Sequence, residues 1–146
     1  MKKKLLLLVA IVILLVGCKQ EKFYLEDVHY GNGVITDIDK KELKLLEKEK
    51  QSFAVFVYLP GCSSCAEFKK VLNEFVEEKN IEVYSISITD VEGTGVEKVE
   101  YAPSLVLYNE GKVVDLLDSA SDEDLPYFKE VTSLTEWLEE YIYLEK

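Results

Sequence analysis

The chain predicts an α/β domain in which helices cover the faces of a sheet. Three observations predict it. Phe53 to Leu59 is nearly all apolar, the pattern of a strand buried on both faces. Pro60-Gly61 breaks that run, and apolar residues then recur at spacings of three and four from Cys65 to Val76, the mark of a helix with one buried face. Farther on, two strand-like runs flank Asn109-Glu110-Gly111, a hairpin signal. The expected order is β-α-β-α-β-loop-β-β-α.

Each element has its own warrant. Val34 to Ile38 is a short β-branched run after the turn signal Gly31-Asn32-Gly33. Asp39-Lys40-Lys41-Glu42 has the form of a capping box, and Leu43, Leu45 and Leu46 carry a helix to about Lys50. Phe53 to Leu59 is the central strand, and the helix from Cys62 runs to about Lys79, with Asn80 to end it. Ile81 to Ile88 alternates and reads as a second central strand. Thr89 to Glu100 is an acidic, glycine-containing connection with room for one helical turn. Ser104 to Tyr108 and Lys112 to Leu117 form the hairpin. Ser133-Leu134-Thr135-Glu136 reads as a second capping box, opening a last helix with Leu134, Trp137, Leu138, Tyr141 and Ile142 on one face.

The amino terminus carries a separate message. Met1-Lys2-Lys3-Lys4 is basic, and Leu5 to Val16 is apolar without a charge. That run is too short to span a bilayer, which takes about 20 residues, and fits the core of an export signal. It ends in Leu15-Val16-Gly17-Cys18, which resembles the bacterial lipobox. That likeness implies cleavage before Cys18, a diacylglyceryl thioether on its sulfur, and a protein held on the extracytoplasmic face of the cell membrane. The expected organisation is a signal peptide at 1–17, a lipidated cysteine and tether at 18–33, and one domain at 34–146. Phe23, Tyr24, Leu25, Val28 and Tyr30 give the tether the means to dock on the domain, and His29 reads as a tether residue without a role.

Charge excludes some partners. From Cys18 onward there are 14 lysines, no arginine and 28 acids, a formal charge of −14. Such a chain does not bind nucleic acid or anionic lipid by electrostatics. The spread of acids over helical faces reads as a solvated surface, and the domain as a monomer.

With Cys18 taken by lipid, Cys62 and Cys65 are the one remaining thiol pair, in a compartment where disulfides persist. A bridge with two residues between its cysteines closes too small a loop to stabilise a fold much. Half of a zinc site is the competing reading. It would need partners the sequence does not supply, since there is no second cysteine pair and His29 is the only histidine. No metal or cofactor is called for, and Trp137 and the nine tyrosines read as packing. At a helix start, Cys62 faces unpaired amides and the positive end of the dipole, which favour its thiolate. Cys65 lies one turn on, placed to resolve a mixed disulfide formed at Cys62.

The dithiol Cys62-Ser63-Ser64-Cys65 between a buried strand and an amphipathic helix, Ala102-Pro103-Ser104 opening the hairpin 38 residues after Cys65, and Asn109-Glu110-Gly111-Lys112-Val113 at its turn together resemble the thioredoxin-fold family. The resemblance covers Val34 to about Tyr143. It implies a central mixed sheet flanked by helices and thiol–disulfide exchange with Cys62 attacking and Cys65 resolving. It also implies a cis Pro103 facing the dithiol, with Gly61, Ala102 and Pro103 receiving an extended substrate strand.

This chain departs from the family pattern in several places. Gly61 stands where many thioredoxins have Trp. Phe56 stands where the reductases bury an acid six residues before the first cysteine, and Ser87 falls near the lysine that faces it. Lys70 replaces the helix proline, and Ser119 to Glu130 lengthens the connection before the last helix. The expected function is a membrane-anchored extracytoplasmic thiol–disulfide oxidoreductase acting on the thiols or disulfides of exported proteins with a redox partner protein. Ser63-Ser64 leaves its direction open. An accessory or binding module with an incidental dithiol, such as those accompanying bacteriocin export, is the alternative.

Overall fold

A computed structural model describes residues 21–146. The export signal and Cys18 lie outside the described residues. Five strands form one mixed sheet in the order β1-β3-β2-β4-β5: β1 (Ile35–Asp37), β2 (Phe53–Tyr58), β3 (Val83–Ser87), β4 (Ser104–Asn109) and β5 (Lys112–Asp118). Strands β1, β3 and β2 run parallel, β4 pairs antiparallel with β2, and β5 pairs antiparallel with β4. Three helices flank the sheet: α1 (Lys40–Lys48), α2 (Ser63–Lys79) and α3 (Val131–Tyr141). The element order is the expected one.

Both sheet faces are covered, which is why β2 is apolar throughout. Helices α2 and α3 press Phe68, Leu72, Phe75, Leu134 and Leu138 onto Ala54, Phe56, Val83 and Leu105 on one face. On the other, Leu43 of α1 and Val91 and Val96 of the 88–103 connection cover Phe53, Val55, Val57, Ile86 and Val106. Burying one leucine or phenylalanine in such a layer is worth roughly 1.5–3 kcal/mol. The Asp39 box forms: its carboxylate accepts from Lys41 and Glu42 amides, and Glu42 accepts from the Asp39 amide. In the hairpin turn, Glu110 and Gly111 both have positive φ, at 49° and 73°, the form that matches strand twist. A side chain at Gly111 would strike the Glu47 carbonyl.

Two expectations need correction, the start of the last helix and the reading of His29. The last helix starts at Val131, and Glu130 caps it without a side-chain bond. Ser133 is already helical, so its capping box does not form. Val131 extends the Leu134–Leu138 stripe by one turn onto the core, and that packing outweighs the local cap signal. The segment before residue 34 docks on the domain, as its apolar residues allow: Leu25 is 2% exposed, Phe23 bridges to Ile142 and Tyr30 to Ile81. His29 is no bystander. It is 1% exposed, edge-on to Tyr84, with Nδ1 3.5 Å from Glu82 Oε2. The 119–130 connection also joins the core, since its single turn Leu125–Phe128 sets Phe128 against Phe68.

Candidate functional site

The site grows from the end of β2. After Tyr58 the chain turns through Leu59-Pro60-Gly61-Cys62, closed by the Cys62 amide donating to the Leu59 carbonyl at 3.2 Å. Proline at the second place and Gly61 at φ 79° in the third are what such a turn requires. No atom crowds a Cβ at Gly61, so backbone conformation alone explains glycine there. The turn delivers Cys62 to the N-cap of α2.

Cys62 is itself the cap. Its Sγ accepts the backbone N–H of Cys65 at 3.1 Å, the bond that serine or aspartate makes at most helix starts. Ser64 Oγ lies 3.1 Å from the same sulfur. The first turn of α2 holds no acidic residue to oppose an anion at this end. Partial burial works against the Cys62 thiolate. Hydrogen bonds from Cys65 and Ser64, through side chain and backbone, outweigh it and hold the Cys62 pKa below the ordinary thiol value of 9.0. For Cys65, burial and then the pull of Cys62 on its proton push the pKa up to about 11. Both cysteines are free thiols.

The Ala102-Pro103 bond is cis, and Pro103 is buried at the head of β4. The Ala102 carbonyl oxygen lies 3.9 Å from Cys62 Sγ. Residues 40 apart in sequence thus meet because β4 pairs antiparallel with β2 in the register Val57 to Ser104. Gly61, Cys62, Ala102 and Pro103 share one edge of the domain. Leu59 and Tyr101, 45% and 52% exposed, extend its apolar surface.

A cleft of about 220 Å³ opens there, with Phe56, Tyr58 and Lys69 among its walls and both cysteines on its rim. Phe56, 1% exposed, packs edge-to-face on Phe68 and makes an apolar floor. Ser87, where a family lysine would fall, bonds Thr89. Among the described residues no group of three or more His, Cys, Asp or Glu side chains is placed to hold a metal ion.

Sequence reasoning missed two contributors. Ser64 reaches the Cys62 sulfur, and its position two after the N-cap was the available signal. Tyr58 lines the cleft, with its hydroxyl pKa raised by burial and then by Asp37 and Asp90. Those acids come from two other segments, so nothing local announced them.

No protein-family model and no curated protein matches the chain. Solved structures do. A thioredoxin variant from Halobacterium salinarum NRC-1 superposes with TM-score 0.56 at 19% identity, over 76% of this chain and 93% of that one. Mitochondrial thioredoxin 3 from Saccharomyces cerevisiae, in its oxidised form, gives 0.53 at 17%, over 72% and 93%. Thioredoxin f from spinach chloroplast, short form, gives 0.51 at 14%, over 66% and 90%. At such identities the likeness establishes the thioredoxin fold and leaves activity to the site.

Proposed function

We propose that this protein is a thiol–disulfide oxidoreductase, anchored through lipid on Cys18 at the extracytoplasmic face of a bacterial membrane and acting on exported proteins. One observation carries the chemical part. Cys62 caps α2 with a favoured thiolate beside the Ala102 carbonyl, while Cys65, one turn on, keeps its proton. That asymmetry divides the labour of exchange.

In the reducing direction the Cys62 thiolate attacks one sulfur of a substrate disulfide. A Cys62–substrate bond forms, the substrate S–S bond breaks, and the other substrate sulfur leaves as thiolate. Cys65 then loses its proton, attacks Cys62 Sγ, and closes the Cys62–Cys65 disulfide while the second substrate thiolate departs. Two electrons pass from the dithiol to the substrate, and a redox partner protein restores them. Oxidation of a substrate dithiol runs the same steps backwards. Among the described residues that line the cleft beside Cys65 there is no carboxylate, so water is left to take its proton. Gly61, Ala102 and Pro103 flank the attacking sulfur and leave the backbone of residue 102 open to an extended substrate segment.

Phe56 favours the second reading, a binding module whose dithiol is incidental, because it leaves resolution without a buried base. Trapping separates the two. Cys65→Ala in cells should accumulate proteins disulfide-bonded to Cys62, and Cys62→Ala should trap few. No covalent partner on Cys65→Ala, with non-covalent partners retained by both variants, would move the assignment to the binding module. The anchor has its own test: Cys18→Ala should lose membrane retention or remain unprocessed.

A further inference from the structure

Seven large apolar side chains are exposed among the described residues, and five of them stand at two opposite ends of the domain, Val34 and Leu45 being the other two. Leu59 and Tyr101 flank the dithiol. Tyr24, Val28 and Tyr143 stand at the far end, 47%, 61% and 42% exposed. There Tyr24 and Tyr143 stack with ring centroids 4.4 Å apart. Lys146 Nζ sits 5.6 Å above the Tyr24 ring, and Lys22 Nζ 5.9 Å from the Tyr143 ring. Stacking two tyrosines in solvent while leaving both half-open hides little area from water. Tyrosine rings beside lysines are what a lipid–water interface accepts, the ring among headgroups and the ammonium beside phosphate.

The covalent chain confines what can cover this face. Phe23 is fixed to the last helix, its amide donating to the Tyr141 carbonyl at 2.9 Å. Four residues lie between it and Cys18, and the five steps of chain span at most about 18 Å when fully extended. A lipid on Cys18 therefore keeps Phe23, and with it this end of the domain, within about 18 Å of the bilayer surface. The dithiol is at the other end. The Gly31 amide donates to the Asn80 carbonyl, just past the C-terminus of α2, whereas Cys62 caps the N-terminus. The 17 residues of α2 place the two ends about 25 Å apart.

We infer that the Tyr24–Tyr143 face rests in the headgroup layer of the membrane and holds the dithiol about 25 Å away from it, aimed at soluble exported segments. The inference goes beyond the redox reading and rests only on its anchor. Charge does not drive the contact: Asp27 pairs with Lys146, and Glu145 lies near, so the rings carry it in zwitterionic as in anionic lipid.

The lipidated full chain in phosphatidylcholine vesicles with acyl-brominated lipid tests this. In a Trp137→Phe background, a Tyr24→Trp reporter should lose about half of its fluorescence or more, and a Leu59→Trp reporter almost none. Should the Trp137→Phe background not fold, amide exchange on the wild-type lipidated chain replaces it, with protection expected at 22–30 and 141–146 and none at 59–62. Equal quenching of both reporters, or no added protection at 22–30, overturns the inference while the anchor stands. Protection of that face only when an exported protein is added assigns it to a protein partner and likewise overturns it. A chain that does not sediment with the vesicles refutes the anchor, and the inference with it.

Discussion

The two ends of α2 are made of the same kind of backbone and used in opposite ways. At the C-terminus, Asn80 turns left-handed at φ 53°, its carbonyl takes the Gly31 amide, and the 22–31 segment packs Leu25 and His29 under itself. The backbone there is tied to other parts of the chain. At the N-terminus the cap is Cys62 Sγ, an atom that must let go of its hydrogen bond to react. A helix start leaves orphan amides that need an acceptor. Filling that need with a thiolate makes one atom serve stability and reactivity together. The difference teaches that substitutions at one end should move stability alone, and at the other should move chemistry first.

The largest expected effect is at Cys62. Cys62→Ser keeps a capping oxygen but removes the nucleophile, so disulfide exchange should fall by about a thousandfold or more with the melting temperature nearly unchanged. Exchange assayed beside thermal unfolding checks this, and a cooperative loss of both would break the contrast. At the other end, Leu25→Ala empties a buried site and should cost about 2–4 kcal/mol in urea unfolding. The Cys62 alkylation rate in the folded variant should stay as in the wild type, and a large change would mean the ends are coupled.

Within the dithiol end, the Cys62 pKa is held below the ordinary thiol value of 9.0 by hydrogen bonds, whereas burial pushes that of Cys65 up to about 11. Near neutral pH, iodoacetamide should therefore label Cys62 at least about a hundredfold faster, as read by mass spectrometry. Replacing Cys62 by Ala instead of Ser also deletes the cap, and should lower stability by about 1 kcal/mol relative to the serine variant.

The smallest effect concerns the packed end. Burial holds His29 below the ordinary imidazole value of 6.5, against the opposing pull of Glu82 and Glu26. Below pH 6.5 the unfolded chain takes up a proton that the folded chain refuses. His29 therefore contributes stability that is present above 6.5 and lost as pH falls through its folded value. Urea unfolding at several pH values should show a shallower acid loss for His29→Gln than for wild type. An unchanged slope would remove His29 from the account.

The element order and the dithiol were legible in the sequence because both rest on local patterns. An apolar run of seven residues, a turn made of Pro60-Gly61, and a three-four stripe on α2 leave few arrangements open. Residues 22–31 were harder to read, since a short mixed segment carries no periodicity, and whether Leu25 and His29 are buried depends on what surface stands opposite. The start of α3 was misplaced for a related reason: Ser133 offered a local cap, and a core contact at Val131 outweighed it.

By itself the sequence determined which residues are chemically able to act: two thiols at a helix start, a proline at the head of a hairpin, and a cysteine behind an export-like run. Tertiary structure alone decided how they differ. Strand pairing carries Ala102 to Cys62 across 40 residues, and burial separates two identical thiols into a favoured anion and a retained proton. It also set the tyrosine face and the dithiol at opposite ends of one helix. Residue type and spacing are properties of the chain, whereas desolvation and proximity exist only between segments that have met.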